Sequence, residues 1–136
     1  MPPRTYPGLV ARRKGIQMKI LVADDDRIVV HLLSGILRQK AHQVLPVFDA
    51  VQAFTSAMRQ LPDAVILDLN MPGGSGVEVL KRLKSSLKTM LIPVIVLSAT
   101  TDAETATNVK SLGANAFLSK PVDPAVLCDT LERVVH

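Results

Sequence analysis

Three apolar runs, KILVA (19–23), AVILDL (64–69) and PVIVLS (93–98), are separated by stretches of helical length, and a shorter one, AFLS (116–119), follows near the end. None shows the polar alternation of a strand with one wet face. A strand apolar on both sides is buried on both sides, which calls for a parallel sheet covered by helices. The intervening stretches repeat apolar residues every three or four positions. Residues 27–39 carry Val29, Leu32, Leu33 and Ile36; residues 50–60 are a second helical segment. Residues 76–88 carry Val77, Leu80, Leu83 and Leu87. Residues 102–112 stop before Gly113, and residues 124–135 carry Leu127, Leu131 and Val134. QVLPVF (43–48) is a poorer strand that Pro46 assigns to a sheet edge. Ser75-Gly-Val-Glu78 has the spacing of a capping box, and Asp123-Pro124 pairs a cap with proline at the first helical position. Five strand-helix units joined by right-handed crossovers predict an α/β, doubly wound, five-stranded parallel sheet with five helices.

The 136 residues suit one domain, and 48% hydrophobic with 21% charged residues suits a packed globule. A single cysteine, Cys128, excludes an internal disulfide and points to a reducing, cytoplasmic setting. His31, His42 and His136 lack zinc-ligand spacing. No apolar run approaches the roughly 20 residues needed for membrane insertion. The net charge of +4 resides in residues 1–17, where Arg4, Arg12, Arg13 and Lys14 meet no acid. From Met18 onward 12 basic and 12 acidic residues balance, so the body presents no case for direct nucleic-acid binding. Residues 1–17 read as a flexible basic extension, either a leader ahead of a natural start at Met18 or an arm for an anionic partner.

In such a sheet, ligands bind beyond the carboxyl ends of the strands. The residues found there are Asp24, Asp25 and Asp26 after the first strand, Asp68 then Asn70 after AVIL, Ser98 then Thr100 after PVIVL, and Lys120-Pro121 after AFLS. Topology thus gathers several carboxylates, a hydroxyl and an ammonium at one edge. Clustered acids stay ionised beside a hard divalent cation such as Mg²⁺. A carboxylate can accept a phosphoryl group as a nucleophile, with the metal and Lys120 stabilising its oxygens and Ser98 donating to one of them.

The four motifs ILVADDD, VILDLNMPGGSG, PVIVLSA and GANAFLSKP, in this order and spacing, resemble the response-regulator receiver domain of two-component signalling. The resemblance covers residues 18–136. It implies a flavodoxin-like strand order 2-1-3-4-5 and a phosphorylation-dependent switch rather than an enzyme. Asp68 would be the phosphoacceptor. Mg²⁺ would be held by Asp24, Asp25, Asp68 and the main-chain carbonyl of Asn70. Lys120 would pair with the phosphate across a cis Lys120–Pro121 bond. Ser98 would be the switch hydroxyl and Phe117 the switch aromatic. Phosphoryl groups would come from a sensor histidine kinase or a histidine phosphotransfer protein. The output would be a downstream protein or output domain, and the chain a monomer or weak dimer through the face of the fourth helix, last strand and last helix. Ser75 departs from the acid often found there, and can cap the third helix. Asn70 and Thr100 occupy positions that tune phosphoryl lifetime, which implies moderate self-dephosphorylation.

Other readings fit less well. A phosphorylation-independent pseudo-receiver would not need Asp24, Asp25, Asp68, Ser98 and Lys120 together. A metal-dependent phosphohydrolase would place Asp-x-Asp after the first strand, and a flavin-binding fold would put a phosphate-cradling loop where DDDR stands. Asp26 is expected to cap a helix, Phe117 can be plain core, and Cys128 lacks a partner that would favour a thiolate.

Overall fold

The computed structural model describes residues 17–100 and 102–135, so the extension expected over residues 1–17 lies almost wholly outside it. Strands β1 (Lys19–Ala23), β2 (Gln43–Val47), β3 (Ala64–Asp68), β4 (Val94–Ser98) and β5 (Ala116–Ser119) form one sheet. Every pairing is parallel and the order is 2-1-3-4-5. Helices α1 (Arg27–Gln39), α2 (Ala50–Gln60), α3 (Gly76–Ser85), α4 (Ala103–Ser111) and α5 (Pro124–Val135) alternate with the strands. A two-residue hairpin, Asn70–Met71 against Gly74–Ser75, leads into α3.

All residues of β3 and β4 are buried, as apolar runs between two helical layers must be. Their side chains alternate between two cores. Leu21, Val65, Leu67 and Val96 pack under α2, α3 and α4. Ile20, Val22, Ile66 and Leu97 pack under α1 and α5 with Leu33, Leu37, Leu127 and Leu131. Pro46 lies on the outer strand β2, where its missing N–H costs no sheet bond with a further strand.

The expected helices form, with one shifted face and one earlier end. In α1 the fully covered positions are Val30, Leu33 and Leu37, while Leu32 is 60% exposed. Val29 and Ile36 stay packed against the core, while the Leu32 side of the helix borders a groove. Helix α3 ends at Ser85 rather than continuing to residue 88, and Leu87 is 91% exposed. The cause is local. The buried Thr89 hydroxyl donates to the Leu83 carbonyl at 2.7 Å, taking the acceptor that a Leu87 N–H would need to extend the helix. Lys84 Nζ donates to the Ile92 carbonyl at 2.8 Å and to Asn115 Oδ1 at 3.1 Å, which seals this end of the molecule. Gly113 adopts φ +106°, and a Cβ there would lie 2.9 Å from the Lys84 stem.

Caps hold the opposite ends. Asp26 Oδ1 accepts from the Ile28 and Val29 amides, Asp49 Oδ1 from Gln52, Ser75 Oγ from Glu78 and Asp123 Oδ1 from Ala125. Glu78, the distal member of the capping-box pattern, pairs with Lys81 at 3.6 Å in an exposed contact worth little.

His42 Nδ1 accepts the Met18 amide at 3.0 Å, tying the start of β1 to the α1–β2 turn. Burial lowers the His42 pKa, with Lys40 acting the same way and Glu132 and Asp63 opposing. A folded pKa below the unfolded value of 6.5 means the contribution is complete above that pH and is lost as pH falls through it. Urea unfolding of wild type and His42→Asn at pH 7.5 and 5.5 checks this: wild type is expected to lose more stability on acidification than the variant.

Candidate functional site

The strand register assembles the site. Ala23 pairs with Leu67, so the next residues, Asp24 and Asp68, emerge side by side from the carboxyl ends of β1 and β3. Leu97 lies opposite Asp68 on β4, and Ser98 pairs with Ser119 on β5, one residue before Lys120. The Lys120 amide donates to the Ser98 carbonyl at 2.8 Å, and the Lys120–Pro121 bond is cis. The polar residues expected at this edge therefore do meet.

The three consecutive aspartates have three different environments. Asp24 is fully buried, whereas Asp25 and Asp26 are exposed. Asp24 Oδ1 accepts the Asp26 amide at 2.9 Å, and Asp26 caps α1. Oxygens of Asp24, Asp25 and Asp68 lie within 4.8 Å of one another. Asp25 and Asn70 line the same depression above the β3–α3 hairpin.

Lys120 Nζ stands 2.7 Å from Asp24 Oδ2 and 3.2 Å from Asp68 Oδ1. The Asp24 contact is the shorter of the two and pairs a fully buried carboxylate oxygen with the ammonium. Burial and the Asp24 charge raise the Asp68 pKa; Lys120 and the Asn70 amide oppose this without cancelling it. Burial acts against the Lys120 charge, but Asp24 and Asp68 outweigh it and raise its pKa. Three carboxylates facing one ammonium leave a formal charge of −2, which one divalent cation would balance. The all-oxygen donor set of Asp24, Asp25 and Asp68 fits a hard ion such as Mg²⁺, with room for water and phosphate oxygens.

Ser98 is buried at 2% exposure, and its Oγ accepts the Thr100 amide at 3.2 Å. Phe117 is half-buried on β5 and packs against the α2–α4 core. Cys128 is partly buried, and burial raises its thiol pKa, as expected of an unreactive cysteine.

Gly76 went unremarked in the sequence beyond its place in the GGSG run. Its amide donates to the Leu69 carbonyl at 2.8 Å, folding the hairpin back on the residue after Asp68. A Cβ on Gly76 would lie 2.6 Å from Leu69 Cα and nearer still to the Asp68 carbonyl oxygen. The backbone beneath the Asp68 carboxylate is thus held by an approach only glycine permits.

Comparison with known proteins gives a consistent result. The family model of the response regulator receiver domain matches residues 20–132. The chain is 39% identical over 127 residues to the sensory/regulatory protein RpfC of Xanthomonas campestris, covering 92% of this chain but only 18% of that protein. It is 34% identical to PilH of Pseudomonas aeruginosa, covering 86% of this chain and 97% of that one. Among solved structures it is similar to the chemotaxis response regulator CheY4 of Vibrio cholerae, with TM-score 0.82, 30% identity, and 87% and 98% of the two chains covered. It is also similar to the receiver domain of sensor histidine kinase PA1611 of Pseudomonas aeruginosa, solved with magnesium in its active-site cleft. That match has TM-score 0.81, 28% identity, and 88% and 98% coverage.

Two outcomes test the site as built. Asp68→Asn removes a buried charge whose surroundings disfavour it, so without Mg²⁺ at pH 7 the variant is expected to melt at a higher temperature than wild type, and added Mg²⁺ to narrow the gap. A lower Tm for the variant would contradict the electrostatic account. Gly76→Ala is expected to cost roughly 2 kcal/mol or more in urea unfolding, the scale of overpacking.

Proposed function

This chain belongs to the response regulator receiver family, and we propose that it is a phosphorylation-dependent switch whose phosphoacceptor is Asp68. The observation that carries this reading is the ionic cluster at the strand ends. Asp68 lies with Asp24 and Asp25 in one oxygen group and within 3.2 Å of Lys120. Phosphoryl transfer to a carboxylate demands positioning and charge neutralisation. In this reading Asp24, Asp25, Asp68 and the Asn70 carbonyl would hold Mg²⁺, whose charge would offset that of the phosphoryl oxygens. An Asp68 oxygen forms the bond to phosphorus as the P–N bond of the donor phosphohistidine breaks and its electron pair leaves with the imidazole nitrogen, while Lys120, 3.2 Å from Asp68, takes up charge on the phosphoryl oxygens. Ser98, at the end of β4, would donate its hydroxyl proton to a phosphoryl oxygen, drawing the β4–α4 loop inward. Phe117, on the neighbouring strand, is the aromatic that would repack in response.

The donor in this reading is a histidine kinase or a histidine phosphotransfer protein. A groove of about 500 Å³ between α1 and the β5–α5 loop supports a protein donor, because it is apolar and Lys120 forms part of both its wall and the ionic cluster. Leu32, exposed on its rim, gives this side of α1 a purpose that core packing does not. No helix among the described residues is long and apolar enough to cross a membrane. The output is a change at a protein-binding surface, through a downstream protein or an output domain, and any dimer would form at the α4–β5–α5 face.

Intact mass after incubation with acetyl phosphate and Mg²⁺ tests the acceptor. A single phosphoryl adduct is expected on wild type, dependent on Mg²⁺ and absent from Asp68→Asn. A folded wild type without an adduct would leave a phosphorylation-independent interaction module as the better reading. With a phosphorylated histidine phosphotransfer domain as donor, Leu32→Glu is expected to lower the transfer rate relative to acetyl phosphate by about tenfold or more, as for disruption of a central apolar contact.

A further inference from the structure

Next to the carboxylate cluster, on its α2 side, lies a second depression of about 730 Å³ that the phosphoacceptor chemistry leaves unused. Asp25, Arg27, Phe48, Asp49, Gln52 and Pro72 line it. Asp25 belongs to both places, since its carboxylate is grouped with those of Asp24 and Asp68 within 4.8 Å. The depression therefore adjoins the acceptor across a single side chain.

Its lining carries two carboxylates, Asp25 and Asp49, and two groups able to donate, Arg27 and Gln52. Asp49 Oδ1 accepts the Gln52 amide at 2.8 Å as the cap of α2. Asp25 faces the cation site. Gln52 Oε1 accepts the Phe48 amide at 3.4 Å, leaving its side-chain nitrogen to donate. The Arg27 guanidinium lies over the Phe48 ring, 3.9 Å from its centroid, and forms no ion pair among the described residues. Stacking occupies the face of a guanidinium and leaves its edge of N–H groups free, the edge that grips a carboxylate. The ring thus holds a cation still in the wall of the depression, without neutralising it.

We propose that this depression receives the leaving group of small acyl phosphate donors and that Arg27 binds the departing carboxylate, with Gln52 as a second donor. The proposal rests on Asp68 being the phosphoacceptor. In the step, an Asp68 oxygen forms a bond to phosphorus. The bridging P–O bond of the acyl phosphate breaks, and its electron pair leaves with the acyl oxygen as a carboxylate. No proton moves and no further reactant is needed. Negative charge grows on the leaving oxygen as that bond lengthens, so a fixed cation there favours the transition state over the bound donor. Arg27 is accordingly a specificity determinant for the donor. It is separate from the α1–α5 groove, which would seat a protein donor.

The test compares initial phosphorylation rates with acetyl phosphate and with phosphoramidate, in the presence of Mg²⁺, for wild type, Arg27→Ala and Arg27→Lys. Phosphoramidate releases neutral ammonia, which gives a guanidinium no charge to bind. The expected result is a fall of about tenfold in the acetyl phosphate to phosphoramidate rate ratio for Arg27→Ala, the scale of one charge-assisted hydrogen bond. Arg27→Lys is expected to retain part of the preference through its charge. An equal drop with both donors, or an unaltered ratio, would overturn the proposal. Absence of an adduct on wild type with both donors would overturn the acceptor assignment beneath it.

Discussion

Two buried carboxylates standing next to each other are the condition around which this molecule is organised. Asp24 and Asp68 leave neighbouring parallel strands at the same level, and the register allows them no escape. One lysine lies between them, held at the end of β5. The balance is incomplete: one ammonium faces two buried carboxylates, and Asp68 still binds its proton more tightly than a free aspartate. A site with an unmet electrostatic demand is ready for cations and for chemistry that redistributes negative charge. The rest of the fold keeps that demand from relaxing.

Rigidity comes from both sides of the sheet. Strands β3 and β4 are buried along their whole length, so moving Asp68 away from Asp24 would mean opening packed aliphatic layers. Below the acceptor, Gly76 lets the hairpin backbone press against Leu69. At the far end, Lys84 and Asn115 join α3, the segment before β4 and the segment before β5 through hydrogen bonds. The molecule thus has one sealed end and one charged end. The exposed Leu32 and the Arg27 stacked on Phe48 both flank the charged end.

Much of this was legible in the sequence because it is local. Uninterrupted apolar runs identify buried parallel strands, and strand ends identify the site, so the places of Asp24, Asp68, Ser98 and Lys120 follow from topology. Caps at Asp26, Ser75 and Asp123 depend on spacings of two or three residues and were equally readable. What escaped depends on contacts between distant segments. Periodicity could not tell which side of α1 faces the sheet, because Leu32 and Leu33 are equally apolar and only packing separates them. The early end of α3 depends on the Thr89 hydroxyl, six residues beyond Leu83. Gly76 is needed for a backbone approach that no pattern announces, and Arg27 acquires its interest only from Phe48, which β2 delivers. The family resemblance supplied the cis bond and the expected roles of the site residues, which composition and spacing do not contain.

The Asp24-Asp25-Asp26 run looks redundant as a string of like charges, yet its members are not interchangeable. The first is buried under the cluster, the second faces solvent and lines both depressions, and the third begins α1. Each position is counted from the end of β1 on one side and the start of α1 on the other. Inserting or deleting one residue between Ala23 and Arg27 would keep a run of acids while reassigning all of these duties at once. Loop length is therefore the variable this segment tolerates least.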